Sequence, residues 1–263
     1  MNNIVPLNQV SAVFNLQLLS YDKKHSIILE GSEGVGKTFL AKYYADLLSI
    51  KDFQLVEPKV QLIREAIVAC YEINTPVVIC IENLDIGVIA ASHTLLKFLE
   101  EPSENVYIII TCRNIKYIPD TIISRSSVIN VPPPTESDLD WYGNLVDEFK
   151  YEKIKDKPIW KCSKTFTDVV DILALTSTQV EYFDSICAAL ESRKSISDLM
   201  WTLQKYSDSV ATPIKLVIRY IMYISNSQRV WNIGHECLKD LEVGRISTHA
   251  IVAKFVMDYK YKQ

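Results

Sequence analysis

The sequence has no paired-cysteine pattern. Its six cysteines, at positions 70, 80, 112, 162, 187 and 237, are scattered and include no C-x-x-C pair. That spacing argues against a zinc site and for unpaired thiols in a reducing compartment. No apolar run approaches the ~20 residues that a membrane-spanning helix needs. The first residues, Met1 to Pro6, lack the basic and apolar layout of a secretory signal, so a cytoplasmic protein with no membrane partner is expected. An excess of positive charge is missing too. The net charge is −4, so any contact with nucleic acid has to come from a local basic face. Internal repeats and low-complexity tracts are absent. What remains is 263 residues, 48% hydrophobic and 23% charged, enough for one large or two to three small globular domains.

Three of the seven glycines fall in one stretch, Gly31-Ser32-Glu33-Gly34-Val35-Gly36-Lys37-Thr38. It fits G-x-x-x-x-G-K-S/T, the P-loop or Walker A pattern. Ser26 to Leu29 before it reads as a short buried strand, and Thr38 to Ala45 after it as the first turns of a helix. A strand feeding a glycine loop and then a helix N-terminus aims backbone N–H groups and the positive helix end at one point, which suits phosphate oxygens. The expected nucleotide-binding set is Gly31, Ser32, Glu33, Gly34, Val35, Gly36, Lys37, Thr38 and Phe39. Lys37 would reach the β- and γ-phosphates, and the Thr38 hydroxyl would take a Mg²⁺ position.

Around this loop, strand and helix signals alternate. Leu7 to Leu19 has apolar residues at Leu7, Val10, Val13, Phe14 and Leu18, a helical spacing expected to pack on the nucleotide domain. Strand signals follow at Phe53 to Pro58, Pro76 to Asn83, Val106 to Thr111 and Ser127 to Val131. Helix signals lie between them at Val60 to Tyr71, Ile89 to Leu99 and Tyr117 to Ser126. Wholly apolar strands alternating with helices imply a parallel sheet covered on both faces. The triple proline 132–134 marks a boundary, beyond which every periodic segment is helical. These are Leu139 to Phe149, Phe166 to Leu175, Val180 to Leu190, Ile196 to Tyr206, Pro213 to Ile224, Val230 to Leu241 and Ser247 to Tyr259. Lys150 to Lys161 is expected to be an exposed connector, with the start of a helix open as a reading of its end. The fold class is α/β, followed by an all-helical half.

A P-loop needs a carboxylate at the end of a neighbouring strand to hold Mg²⁺ or its waters, and Glu82 is placed for that. The next position, where such ATPases often carry an acid, is Asn83. An amide orients a water but does not accept its proton, a function worth ~10²–10⁴-fold in rate. Asp85 lies nearby as a weaker candidate. Arg125 lies well past the nucleotide elements, and two readings stay open for it: a solvated surface charge, or a guanidinium reaching a neighbouring subunit's γ-phosphate.

Ile81-Glu82-Asn83-Leu84-Asp85, then Thr94-Leu95-Leu96-Lys97-Phe98-Leu99-Glu100-Glu101-Pro102-Ser103-Glu104-Asn105, then Ile108 to Thr111 and Ile118 to Ser126 make a more specific signature. It resembles the AAA+ subunits of DNA polymerase sliding-clamp loaders, of the bacterial delta-prime and gamma/tau type, in a divergent or viral version. The likeness is close over residues 25–134 and weak beyond. It implies an AAA+ P-loop NTPase domain (1–134), a small helical lid (135–178) and an all-α collar (179–263) holding subunits in an open ring. By that resemblance the chain binds ATP with Mg²⁺, held by Thr38 and Glu82, and partners other clamp-loader subunits, a sliding clamp and primer–template DNA. Lys37, Glu82, Asn83 and Arg125 are its catalytic set, with Arg125 an arginine finger acting in trans. Cys112 and Arg113 fall around the sensor-1 position. Arg64 and Lys97 fall on helices that face the central DNA channel in the family, where phosphate contacts position DNA without reading its sequence.

The departures point the other way on hydrolysis. The family's zinc-binding insertion is missing, Glu82-Asn83 stands where Asp-Glu is usual, Thr167 stands at the sensor-2 arginine position, and Ser126 replaces the S-R-C cysteine. An intact loop and finger with weakened hydrolytic machinery resembles a delta-prime-like subunit that completes its neighbour's site. The alternatives are another replication AAA+ protein such as a helicase loader, a small-molecule P-loop kinase, or a nucleotide-binding scaffold without turnover.

Overall fold

The computed structural model describes residues 9–72, 75–87, 95–96, 98–191, 214–225 and 228–243. The expected helices at 196–206 and 247–259, and most of 89–99, lie outside them. The chain divides into two compact units, Met1–Trp141 with Lys164–Thr167, and Tyr142–Ser163 with Asp168–Gln263.

The first unit is built on strands β1 (Ser26–Glu30), β2 (Asp52–Val56), β3 (Val77–Ile81), β4 (Val106–Cys112) and β5 (Ser127–Asn130). They form one sheet in the order β2-β3-β4-β1-β5, with every pairing parallel. Successive side chains on a strand point to opposite faces, and over the central strands β1, β3 and β4 both faces are buried. Ile28, Ile79, Ile81, Ile108 and Ile110 pack on one side with Ile63 and Ile67 of helix α3 (Val60–Glu72) and with Phe98. Ile27, Leu29, Val78, Cys80 and Ile109 pack on the other with helices α1 (Val10–Tyr21) and α2 (Lys37–Leu47). Burial on both faces is why β1, β3 and β4 read as unbroken apolar runs.

Helix α1 corrects the expected face. Ala12, Val13 and Leu16 are buried, whereas Val10, Phe14 and Leu18 are about half exposed. The helix is apolar nearly all round, so its periodicity is compatible with more than one buried stripe. Packing on α2 and β5 selects the stripe carrying the small Ala12.

Past a short helix α4 (Asp120–Ile123) and β5, helix α5 (Glu136–Ile154) opens with a reciprocal cap. Thr135 Oγ1 accepts from the Asp138 N–H at 3.2 Å, and Asp138 Oδ2 accepts from the Thr135 N–H at 2.8 Å. Asp147 leaves helical geometry (φ −157°, ψ 89°) and its carboxylate accepts from the Lys150 N–H, restarting the helix.

The second unit is helical: the end of α5, then α6 (Phe166–Ala174, entered through the first unit), α7 (Ser177–Glu191), α8 (Ile214–Ile224) and α9 (Gln228–Val243). The expected exposed connector at 150–161 is instead structural. Tyr151, Ile154, Ile159 and Trp160 are buried. The lysines between them mask this apolar spacing in the sequence, although Lys157 pairs with Asp184 at 2.7 Å. Gly143 leaves room for Trp160, whose ring a Cβ there would meet at 2.5 Å. Asp168, on α6, pairs with Arg219 on α8. No helix among the described residues is long and apolar enough to cross a membrane.

Candidate nucleotide site

The site lies at the C-terminal edge of the sheet, beside β1. From here the chain leaves β1 toward β2 on one side, while β4 connects past β1 to β5 on the other. This is the topological switch point where open α/β sheets bind ligands. The loop is held on several sides. The Gly31 N–H donates to the Cys112 carbonyl at 3.1 Å, and a Cβ on Gly31 would lie 2.6 Å from the Val131 carbonyl oxygen. Gly34 and Gly36 take φ of 73° and 93°, the left-handed region that glycine enters without penalty. The Gly34 carbonyl accepts from the Phe166 N–H at 3.0 Å, and the buried Gln9 amide donates to the Val35 carbonyl.

Lys37 opens α2 and is only 7% exposed. Its ammonium donates to the Gly31 and Ser32 carbonyls at 2.6 and 2.7 Å, which holds a cation across the loop. Burial pushes the Lys37 pKa below its ordinary value, and the neighbouring charges of Cys112 and Asp85 work against that shift. The Thr38 hydroxyl donates to Glu82 Oε1 at 2.7 Å, so the two oxygens expected to share a cation are already neighbours. Glycines admitting close backbone approach, a helix N-terminus, a lysine and this hydroxyl–carboxylate pair together fit a nucleotide's phosphates and a divalent cation. Ser32, Glu33, Val35 and Phe39 complete the predicted set, with Val35 buried and Phe39 half exposed.

Asn83 sits at φ 50°, and its N–H donates to Thr111 Oγ1 at 2.9 Å, tying the end of β3 to β4. Cys112 is fully buried; burial, with Asp85 and Glu30 adding to it, pushes its thiol up to about 12. The Arg113 side chain pairs with Glu33 of the loop at 2.8 Å. Sequence spacing had not linked these two, since 80 residues separate them. The Arg113 and Asn114 N–H groups donate to Asp85 Oδ2 at 3.0 and 3.3 Å. Thr167 also lies at the loop, its hydroxyl 3.1 Å from where a Gly34 Cβ would be.

Arg125 is elsewhere. It precedes β5 at the N-terminal edge of the sheet, where its guanidinium donates to the Thr121 carbonyl at 2.8 Å and pairs with Glu100 at 2.8 Å. Lys24, His25 and Ser26 line the same pocket, of about 240 Å³. Arg64 is exposed on α3. Lys97 lies outside the described residues.

Residues 56–135 match the family model described as DNA polymerase III, delta subunit. Among solved structures, the chain is similar to a DNA polymerase III gamma subunit-related protein from Thermotoga maritima. The identity is 14%, with a TM-score of 0.59 over 95% of this chain and 99% of that one. It is also similar to a point mutant of RuvB from Thermotoga maritima, at 12% identity and a TM-score of 0.53, over 85% of this chain and 79% of that one. No curated protein matches the sequence significantly. At such identities the solved structures speak for the fold, which is the AAA+ fold. The delta-subunit match runs from the end of β2 through β3, β4 and β5, less than a third of the chain, and lies within that fold.

Proposed function

We propose that the chain binds ATP with Mg²⁺ in its P-loop and works in a ring with other clamp-loader subunits. The ring opens a sliding clamp and loads it on primer–template DNA. In this reading residues 135–178 are the lid and 179–263 the collar that joins subunits. The observation that carries it is the convergence of Lys37, Thr38 and Glu82 at the switch point of the sheet, within a chain matching a polymerase III subunit family. Lys37 binds phosphate oxygens by exchanging its two loop carbonyls for them. Thr38 and Glu82 hold the cation, which supplies charge neutralisation on the triphosphate. Asn83 orients a water. Arg125 serves a neighbouring subunit's nucleotide, and the exposed Arg64, with Lys97, touches the DNA backbone.

Titration calorimetry with ATP and Mg²⁺ tests the site. Lys37→Ala removes two charge-assisted hydrogen bonds at roughly 1.5–3 kcal/mol each, so affinity should fall at least about a hundredfold. Unchanged ATP binding would overturn the assignment. Co-purification with polymerase and clamp subunits tests the assembly, and a chain that stays monomeric beside them would overturn the ring.

A further inference from the structure

The pocket beside Arg125, at the N-terminal edge of the sheet, is lined by cations and hydroxyls. Lys24, His25, Ser26, Arg125 and Ser126 face it, with Phe98 in its apolar wall. Among the described residues no aspartate or glutamate lines it, in a chain whose net charge is −4. A single water needs roughly 10–15 Å³ of such space, so a volume of about 240 Å³ admits a phosphate group with water around it.

The walls are held in place. The Lys24 N–H donates to the Leu19 carbonyl at 3.1 Å, and the Lys24 carbonyl accepts from the Tyr44 hydroxyl at 2.9 Å. His25 donates through Nδ1 to the Val106 carbonyl at 2.8 Å and stacks on Tyr107, with 4.6 Å between ring centroids. The bonded hydroxyls of Ser26 and Ser126 join the Lys24 side of the pocket to the Arg125 side.

The two cations differ in what already engages them. Arg125 donates to the Thr121 carbonyl through Nη1 and pairs with Glu100 through Nη2. Those bonds offset much of its charge and leave the Nε–H of its five donors. Lys24 is exposed, and among the described residues its ammonium has no hydrogen bond or ion pair. A phosphate group carries about 1.5–2 negative charges at neutral pH, more than a guanidinium paired with a carboxylate offsets. Lys24 is the cation at this pocket with its whole charge to give.

Resting on the reading above that Arg125 serves a neighbouring subunit's nucleotide, we propose that this pocket is a phosphate site in which Lys24 is the second cation. Lys24 and Arg125 hold one phosphate group between them, and the phosphate competes with Glu100 for the guanidinium. The group is the terminal phosphate of a nucleotide carried by the neighbouring subunit, or free inorganic phosphate. Either way the site is distinct from the subunit's own phosphate loop, which begins past the far end of β1.

Two measurements test it. The first is a phosphorus NMR titration of the full-length Lys37→Ala chain, its own loop weakened, with inorganic phosphate. The second is steady-state hydrolysis by the complex assembled with its partner subunits. Only the backbone of Lys24 is bonded to the fold, so Lys24→Ala should stay folded. Loss of a charge-assisted hydrogen bond should weaken phosphate binding about tenfold or more, and Lys24→Arg should restore most of it. With the neighbour's nucleotide as ligand, Lys24→Ala also slows the complex about tenfold or more. It slows it little further once Arg125→Ala is present, because the two side chains act on one group. Weakened phosphate binding with an unslowed complex upholds the site and assigns it to free phosphate. A folded Lys24→Ala chain that changes neither measurement overturns the proposal. Arg125→Ala, measured alongside, then decides the reading of Arg125 separately: a slowed complex keeps it, and an unslowed one removes it too.

Discussion

The hydroxyls of Ser26 and Ser126 share a 2.6 Å hydrogen bond at the N-terminal edge of the sheet. That contact pins Arg125 to the first residue of β1, whereas the phosphate loop begins after its last. Five steps of strand put about 16 Å between the two edges. A guanidinium on this edge does not serve its own subunit's phosphates, so any role for it on a nucleotide is in trans. In the assembled complex, Arg125→Ala should slow hydrolysis about 10³-fold or more while the chain's own ATP affinity stays the same. A steady-state assay decides, and an undiminished rate would remove the finger. The pair with Glu100 is partly exposed (35% and 51%), so the melting temperature should barely move.

Gly34 combines a positive φ with a crowded position, 2.7 Å from the Thr165 hydroxyl to an added Cβ. Gly34→Ala should therefore cost about 1–2 kcal/mol from backbone strain alone. Thermal melting would register that as a fall in Tm of roughly 2–8 °C. An unshifted Tm would mean that the loop relaxes without cost.

Cys80 and Cys112 are fully buried, and burial raises each thiol from 9.0 to about 12. In the unfolded chain they ionise near 9.0, so above that pH the unfolded state holds fewer protons and gains on the folded one. Stability should fall with rising pH between 9 and 12, by about 1.4 kcal/mol per unit per cysteine. Urea titrations at about pH 8 and about pH 10 would measure it. A double Cys→Ala variant should lose most of the slope below pH 10, above which the raised Tyr44 and Tyr107 add their own.

Asp168 is 9% exposed in its side chain and paired with Arg219. Arg219→Ala removes a charged partner of a nearly buried carboxylate and should destabilise the helical unit by about 3 kcal/mol, the lower end for broken buried pairs. Chemical denaturation is the readout, and a loss under about 1 kcal/mol would show the pair to be solvent-screened.

The glycine loop at 31–38 was legible as a loop at once, because its conformation excludes most side chains: Gly31 faces a carbonyl, while Gly34 and Gly36 turn left-handed. Strands β3 and β4 were equally plain, since burial on both faces leaves an unbroken apolar run. Residues 150–161 were misread because their many lysines suggest solvent exposure, whereas Tyr151, Ile154, Ile159 and Trp160 are buried and Lys150 and Lys157 bond to Leu173 and Asp184. The buried face of α1 was misread for a related reason: a helix apolar nearly all round carries no signal about which stripe a neighbour will cover.

Local chemistry was thus determined by the sequence itself. A glycine loop running into a helix, a lysine and a hydroxyl at its end, and an amide at Asn83 each follow from residue types at short spacing. Tertiary structure alone decided which distant groups meet: Glu33 with Arg113, Asp85 with the backbone after β4, and Arg125 with the edge of the sheet remote from its own loop. The physical reason is the parallel sheet. Its crossovers set strand order and register, so residues 28 to 100 apart become neighbours through contacts that no local periodicity encodes.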